Sequence, residues 1–151
     1  MAINNATREI IALFVKGCIG DPQKTRIHAY VEHCFNLDDV VVFVVSGDVS
    51  KVIGPHGCKI GVMAGLFEKK VKVVRASKNA EDFIRHWLWG LKCTIESGEN
   101  IQVRMPERDL ERAIGTNGKN ANLLRQICAE LYGQKEIIFK ETNEDAVPQK
   151  T

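Results

Sequence analysis

"DVSKVIGPHGCK" (residues 48–59) and "DLERAIGTNGKN" (residues 109–120) stand 61 positions apart and share four of twelve residues: Asp48/Asp109, Ile53/Ile114, Gly54/Gly115 and Gly57/Gly118. Val49/Leu110 and Lys51/Arg112 keep their character. In both stretches an apolar helical run stops at a glycine, crosses two residues and restarts after a second glycine. The spacing alone proves little, because 12 glycines in 151 residues give about one such pair by accident. A third pair, "GCIG" at 17–20, serves as a control. It follows a helical pattern but runs into Asp21-Pro22 with no second helix expected behind it, so it reads as a helix C-terminus.

The surroundings of the two stretches also repeat. Residues 7–18 place Ile10, Ile11, Phe14, Val15 and Cys18 on one helical face. Residues 25–35 read as a strand, with Ile27, Ala29, Val31 and His33 on one side. The β-branched run "VVVFVV" (40–45) suits a strand covered on both faces. After the first glycine pair a helix runs to about Phe67, and "VKVVR" (71–75) makes another strand. Residues 80–91 form a helix through Phe83, Ile84, Trp87, Leu88 and Leu91, with Asn79 as N-cap. "KCTIES" and "IQVRMP" flank the turn "GEN" as a hairpin. A helix over 107–114 leads to "GTNG", and a longer one, 119–132, stops at Gly133 before a last strand at 136–140. Helix, strand, strand, helix–GxxG–helix, strand thus occurs twice, as a repeated supersecondary unit. The expected division is 1–78, 79–142 and a polar, mobile tail at 143–151.

Composition sets the class. Hydrophobic residues make up 44% and charged residues 26%, as in a soluble globular protein. No apolar run approaches the roughly 20 residues of a membrane span, and "MAINNATREI" lacks the pattern of a secretory signal, so the expectation is a cytoplasmic protein. Five scattered cysteines (Cys18, Cys34, Cys58, Cys93, Cys128) form no CxxC pair and read as small buried hydrophobes. His28, His33 and His86 show no metal spacing, and neither a catalytic constellation nor a cofactor motif appears, so no enzyme is expected. The net charge of +2 weakly favours a polyanionic partner, and an evenly solvated surface explains it equally well.

The glycine pairs have a physical rationale. A tight turn between helices needs backbone conformations that glycine adopts cheaply. The helix after the turn points unpaired N–H groups and its positive dipole end at that spot, a natural place for phosphate. Lys51 and Lys59 bracket the first turn, Arg112 and Lys119 the second, while Asp48, Asp109 and Glu111 dilute the field. The competing reading is a plain helix–turn–helix corner whose glycines only allow the bend.

"VVVFVVSGDVSKVIGPHGCKIGVM" and "IQVRMPERDLERAIGTNGKNANLL", in this order of elements, resemble tandem KH domains of type II, in particular the KH pair of NusA transcription factors. The resemblance covers roughly residues 7–141, so the chain corresponds to the pair alone, the minimal form of archaeal NusA-like proteins. It implies an α+β fold, an α/β sandwich in which each unit is a three-stranded sheet with helices packed on one face. It also implies single-stranded RNA binding in transcription elongation, termination or antitermination, with the nascent transcript and RNA polymerase as partners and a monomeric state. In KH domains the GxxG turn clamps the backbone of about four nucleotides. Carried over by position, the first clamp is Gly54, Pro55, His56 and Gly57, with Lys51 before it and Lys59 behind. The second is Gly115, Thr116, Asn117 and Gly118, with Arg112 before it and Lys119 and Asn120 behind. Ile53 and Ile114 would line the groove floors. Many such turns carry a basic residue between the glycines, and these two do not. Pro55 removes an N–H donor and histidine is a weaker cation than lysine near neutral pH, which makes the first clamp the less typical. An alternative within the resemblance is a structural protein of a ribonucleoprotein or polymerase assembly, working by protein contacts.

Four other features invite a reading. Trp87 falls on an apolar helix face and reads as core. Trp89 faces elsewhere, toward a contact between the units or toward a base. Gly61 and Gly65 are expected where their helix packs closely on a neighbour. Lys69, Lys70, Lys72, Arg75 and Lys78 read either as an extension of the RNA path or as a solvated strand edge.

Overall fold

The computed structural model describes residues 5–133 and 136–142, and the chain divides into two compact units, Met1–Ala76 and Ser77–Thr151. The tail expected at 143–151 lies outside the described residues. Each unit is α+β, with one three-stranded sheet.

The first unit opens with α1 (Asn5–Phe14), which widens into a π-helical turn at Val15–Ile19 and ends at Gly20. The "GCIG" control thus is a helix end. A one-turn helix, α2 (Pro22–Thr25), does follow it, against expectation, because the Asp21 carboxylate accepts the Gln23 N–H at 3.0 Å and starts a new turn. Strands β1 (Ala29–Asn36) and β2 (Val40–Gly47) are antiparallel. Helices α3 (Val49–Ile53) and α4 (Cys58–Phe67) then carry the chain to β3 (Lys70–Arg75), which pairs parallel with β2.

The alternation read in β1 breaks at a β-bulge. Val31 pairs with Val45 and His33 with Val44, so Glu32 is the extra residue. The slip turns Cys34 toward the core and His33 to solvent, reversing the expected place of His33. Val41, Phe43 and Val45 of β2 face the helices, where Phe43 stacks on Phe14 at 3.8 Å between ring centroids. Val42 and Val44, on the other face, are buried too, as the β-branched run predicts.

The second unit repeats the order: α5 (Ala80–Trp87), β4 (Thr94–Ser97), β5 (Ile101–Met105), α6 (Glu107–Ile114), α7 (Lys119–Tyr132) and β6 (Ile137–Glu141). β4 and β5 are antiparallel, and β5 and β6 parallel. Asn79 caps α5 through its side-chain oxygen, which accepts the Asp82 N–H at 2.9 Å. Phe83, Ile84, Trp87 and Leu88 are buried. The helix stops at Trp87 rather than Leu91, and residues 88–90 form a turn closed by Gly90 at φ 91°. Alternate residues of β5 (Ile101, Val103, Met105) and one face of α7 (Ala121, Leu124, Ile127, Cys128) are buried as well. No helix among the described residues is long and apolar enough to cross a membrane.

Trp89, which faces away from the apolar side of α5, is 84% exposed. One sequence reading fails within the first unit. Gly61 and Gly65 do not mark a close approach: they are exposed, and a Cβ at either would meet nothing within 4 Å. The basic run lies on and beside β3, the edge strand of its sheet, with Lys70, Arg75 and Lys78 exposed. Lys69 donates to the Asn36 side chain and the Leu37 carbonyl, and Arg75 to the Gly47 carbonyl. Burial lowers the pKa of Lys72. With open space at two helix-interior glycines, Gly61→Ala and Gly65→Ala are each expected to raise stability by about 1 kcal/mol, read as a higher urea midpoint at unchanged slope.

Candidate nucleic-acid interface

Both glycine turns adopt one backbone path. Gly54 (φ 83°, ψ 166°) and Gly115 (φ 79°, ψ 173°) occupy a region essentially restricted to glycine. His56 (54°, 26°) and Asn117 (56°, 27°) are left-handed, as are Gly57 (72°, 19°) and Gly118 (75°, 11°). Three matching pairs of residues in two separate segments make the repeat a feature of three-dimensional structure. A Cβ on Gly115 would stand 3.0 Å from the Asn120 Cβ, and one on Gly54 2.9 Å from the Lys59 Cγ. Gly57 and Gly118 have room by comparison.

Burial repeats too. Lys51, Pro55 and His56 are exposed, as are Arg112, Thr116 and Asn117, while Ile53, Ile114 and the four glycines are half-buried. The exposed middle of each turn is therefore backed by a half-buried isoleucine at the end of the preceding helix. This places the predicted residues of each unit together around its own turn.

The turns are less rich in free donors than the sequence suggests. The Gly57 N–H donates to the Gly54 carbonyl at 3.0 Å and the Gly118 N–H to the Gly115 carbonyl at 3.1 Å. The N–H groups of Cys58 and Lys119 donate to the Pro55 and Thr116 carbonyls. What remains outward is the amide of His56 in the first turn and those of Thr116 and Asn117 in the second; among the described residues these find no acceptor. Pro55, with no N–H, accounts for the difference.

Two predicted site residues turn out to be braces. The Lys59 ammonium donates to the Lys51 carbonyl at 2.9 Å and the Cys18 carbonyl at 3.1 Å. Asn120 holds the equivalent position and donates through Nδ2 to the Ala113 carbonyl at 2.8 Å. Each ties the start of the second helix to the end of the first, satisfying a C-terminal carbonyl that the helix leaves open. Their polar ends are committed to the fold. Nor do the aspartates crowd the turns. The Asp48 carboxylate accepts the His28 N–H at 3.0 Å, and the buried Asp109 accepts the Lys92 N–H at 3.3 Å, both at the far end of their helices.

Sequence reading missed Cys58. It grouped all five cysteines as buried, yet Cys58 is exposed at the first position of α4. The signal was there: in the paired stretches Cys58 stands opposite Lys119, also exposed. The other four thiols fit the expectation better. Burial pushes Cys34 up to about 11 and Cys128 up to about 12. Burial also raises Cys18, partly opposed by the Lys59 ammonium, and Cys93.

No family model matches the chain, and no curated protein is significantly similar to it. Among solved structures, one described as "Crystal structure of APE1850" is similar over 91% of this chain and 100% of that one, with a TM-score of 0.66 and 23% identity. At that identity the likeness is one of fold.

Two outcomes check this geometry. Alanine at Gly54 or Gly115 is expected to cost about 3 kcal/mol, against about 1–2 kcal/mol at Gly57 or Gly118, in urea unfolding. In the native protein near neutral pH, Cys58 is expected to react with a thiol reagent well ahead of the other four, all five becoming equal in denaturant.

Proposed function

We propose that this protein binds single-stranded RNA through its two glycine turns, as tandem type II KH domains of the NusA-like kind, and acts on a transcribing polymerase through the nascent transcript. The observation that carries this reading is the recurrence of the turn. Two segments with different side chains keep one strained backbone, with exposed polar residues at the tip and a half-buried isoleucine behind. A mere corner requires the bend but not this repeated exposure. In the proposed mode the outward amides and nearby cations hold successive phosphates, and bases lie against the isoleucine side. Lys51 and Arg112, on the last turn of their helices, supply charge without reading sequence. The second turn is the stronger clamp, with two outward amides, Thr116, Asn117 and the neighbouring Lys119. The protein works in the cytoplasm as a monomer, without a cofactor.

A specific observation favours the protein-contact alternative for part of the first unit: Val62 (62% exposed) and Leu66 (58%) lie bare along α4.

The test uses the turn tips, because substituting Gly115 would disturb the fold itself. Thr116→Asp with Asn117→Asp places two negative charges where phosphates would lie, at exposed positions, and aspartate tolerates the left-handed conformation of position 117. Filter binding to single-stranded RNA at two salt concentrations is expected to show at least about a tenfold loss for this variant, and a smaller loss for His56→Asp. Unchanged RNA affinity in the double variant would sink the clamp assignment. Weak binding by the unmodified protein, with polymerase association surviving the substitutions, would favour the alternative.

A further inference from the structure

We propose that Trp89 is a stacking platform for an unpaired nucleobase on the second unit, outside the glycine turn; the inference rests on the RNA-binding reading above. An indole is among the side chains most often found buried, yet Trp89 is 84% exposed while its neighbours Trp87 and Leu88 are core. It is also held firmly. The Trp89 N–H donates to the His86 carbonyl at 3.3 Å, and the Leu91 N–H to the Leu88 carbonyl at 3.0 Å. Gly90 turns the chain at φ 91°, and the next amide, Lys92, is fixed by the buried Asp109 at 3.3 Å. The backbone that presents the ring is therefore fixed.

The place of the ring names its ligand. Asp109 lies on α6, six residues or about 9 Å of helix before Gly115. The Trp89 turn is thus tied through Lys92 to the same helix that ends at the second glycine turn. The ammonium of the exposed Lys92, three positions from Trp89, meets no acceptor among the described residues and supplies charge for the backbone of the stacked nucleotide. Arg85, one helical turn earlier, is paired with Asp82 at 3.3 Å and contributes less.

The first unit carries an independent parallel. Its corresponding aspartate, Asp48, fixes the amide of His28, and Tyr30 lies two residues beyond, 69% exposed. Among the described residues the exposed aromatic rings in the large hydrophobic set are Trp89 and Tyr30, each within three residues of an amide braced by the corresponding aspartate, Trp89 before it and Tyr30 after it. Stacking on such rings is tolerant of base identity, so the ligand class is single-stranded RNA of no fixed sequence.

The experiment uses the full chain, fluorescein-labelled oligouridylate and intrinsic tryptophan fluorescence. Since Trp87 is buried, the RNA-dependent change should come from Trp89. Adding RNA is expected to quench wild-type fluorescence, and Trp89→Ala to abolish the quench and weaken binding by about 5- to 100-fold, with Trp89→Phe retaining most of the affinity. Thermal melts of these surface variants should match wild type. If Trp89→Ala binds RNA as tightly as wild type while Thr116→Asp with Asn117→Asp does not, the platform is wrong and the clamp stands. If the folded wild-type protein binds no RNA, both fall. A Trp89→Ala variant that keeps RNA affinity but loses self-association would make the ring a protein contact and overturn the proposal.

Discussion

Two parallel neighbouring strands cannot be joined by a tight turn, and both sheets contain such a pair. Each unit answers with a crossover of two helices, and each crossover bends at a glycine whose backbone other residues adopt only under strain. The sheet order, the packing of the helices and the exposure of the turn tip all follow from that bend. Lys59 in one unit and Asn120 in the other close the bend from inside by capping the end of the preceding helix. The resulting corner is rigid and strained, and its outer rim is polar.

The units differ in what they hang on this common frame. In the first, proline takes one donor from the rim and the lysine behind the turn is drawn inward to two carbonyls. In the second, a neutral asparagine performs the brace, and a lysine stands exposed where the first unit has a cysteine. Equivalent backbone paths thus present unequal electrostatics, and the proposed division of labour in RNA binding comes from residue choice at the rim, a missing main-chain donor included.

Much of this was legible in the sequence. The order of elements follows from apolar periodicity, and the capping of α5 from Asn79. The equivalence of Gly54 with Gly115 came from aligning two stretches, because a backbone demand for glycine is written directly into residue choice. Features set by tertiary context were not legible. Nothing local announces the bulge at Glu32, which reverses His33 and Cys34. The sequence offers Lys59 as a cation for a ligand; only the approach of two carbonyls makes it a brace. Gly61 and Gly65 looked like signs of close packing, yet they stand in open space.

The agreement of the two turns across unlike side chains has a consequence for how such a protein can change. The side chains at 55, 56 and 58, like those at 116, 117 and 119, stand exposed on the corner, with a left-handed backbone the one demand at 56 and 117, whereas Gly54, Lys59, Gly115 and Asn120 hold its shape from within. Foldability and ligand choice are therefore written in interleaved but separate letters of the same short word. A duplicated unit of this kind can be rewritten at its rim for a new polyanion while its scaffold letters stay fixed.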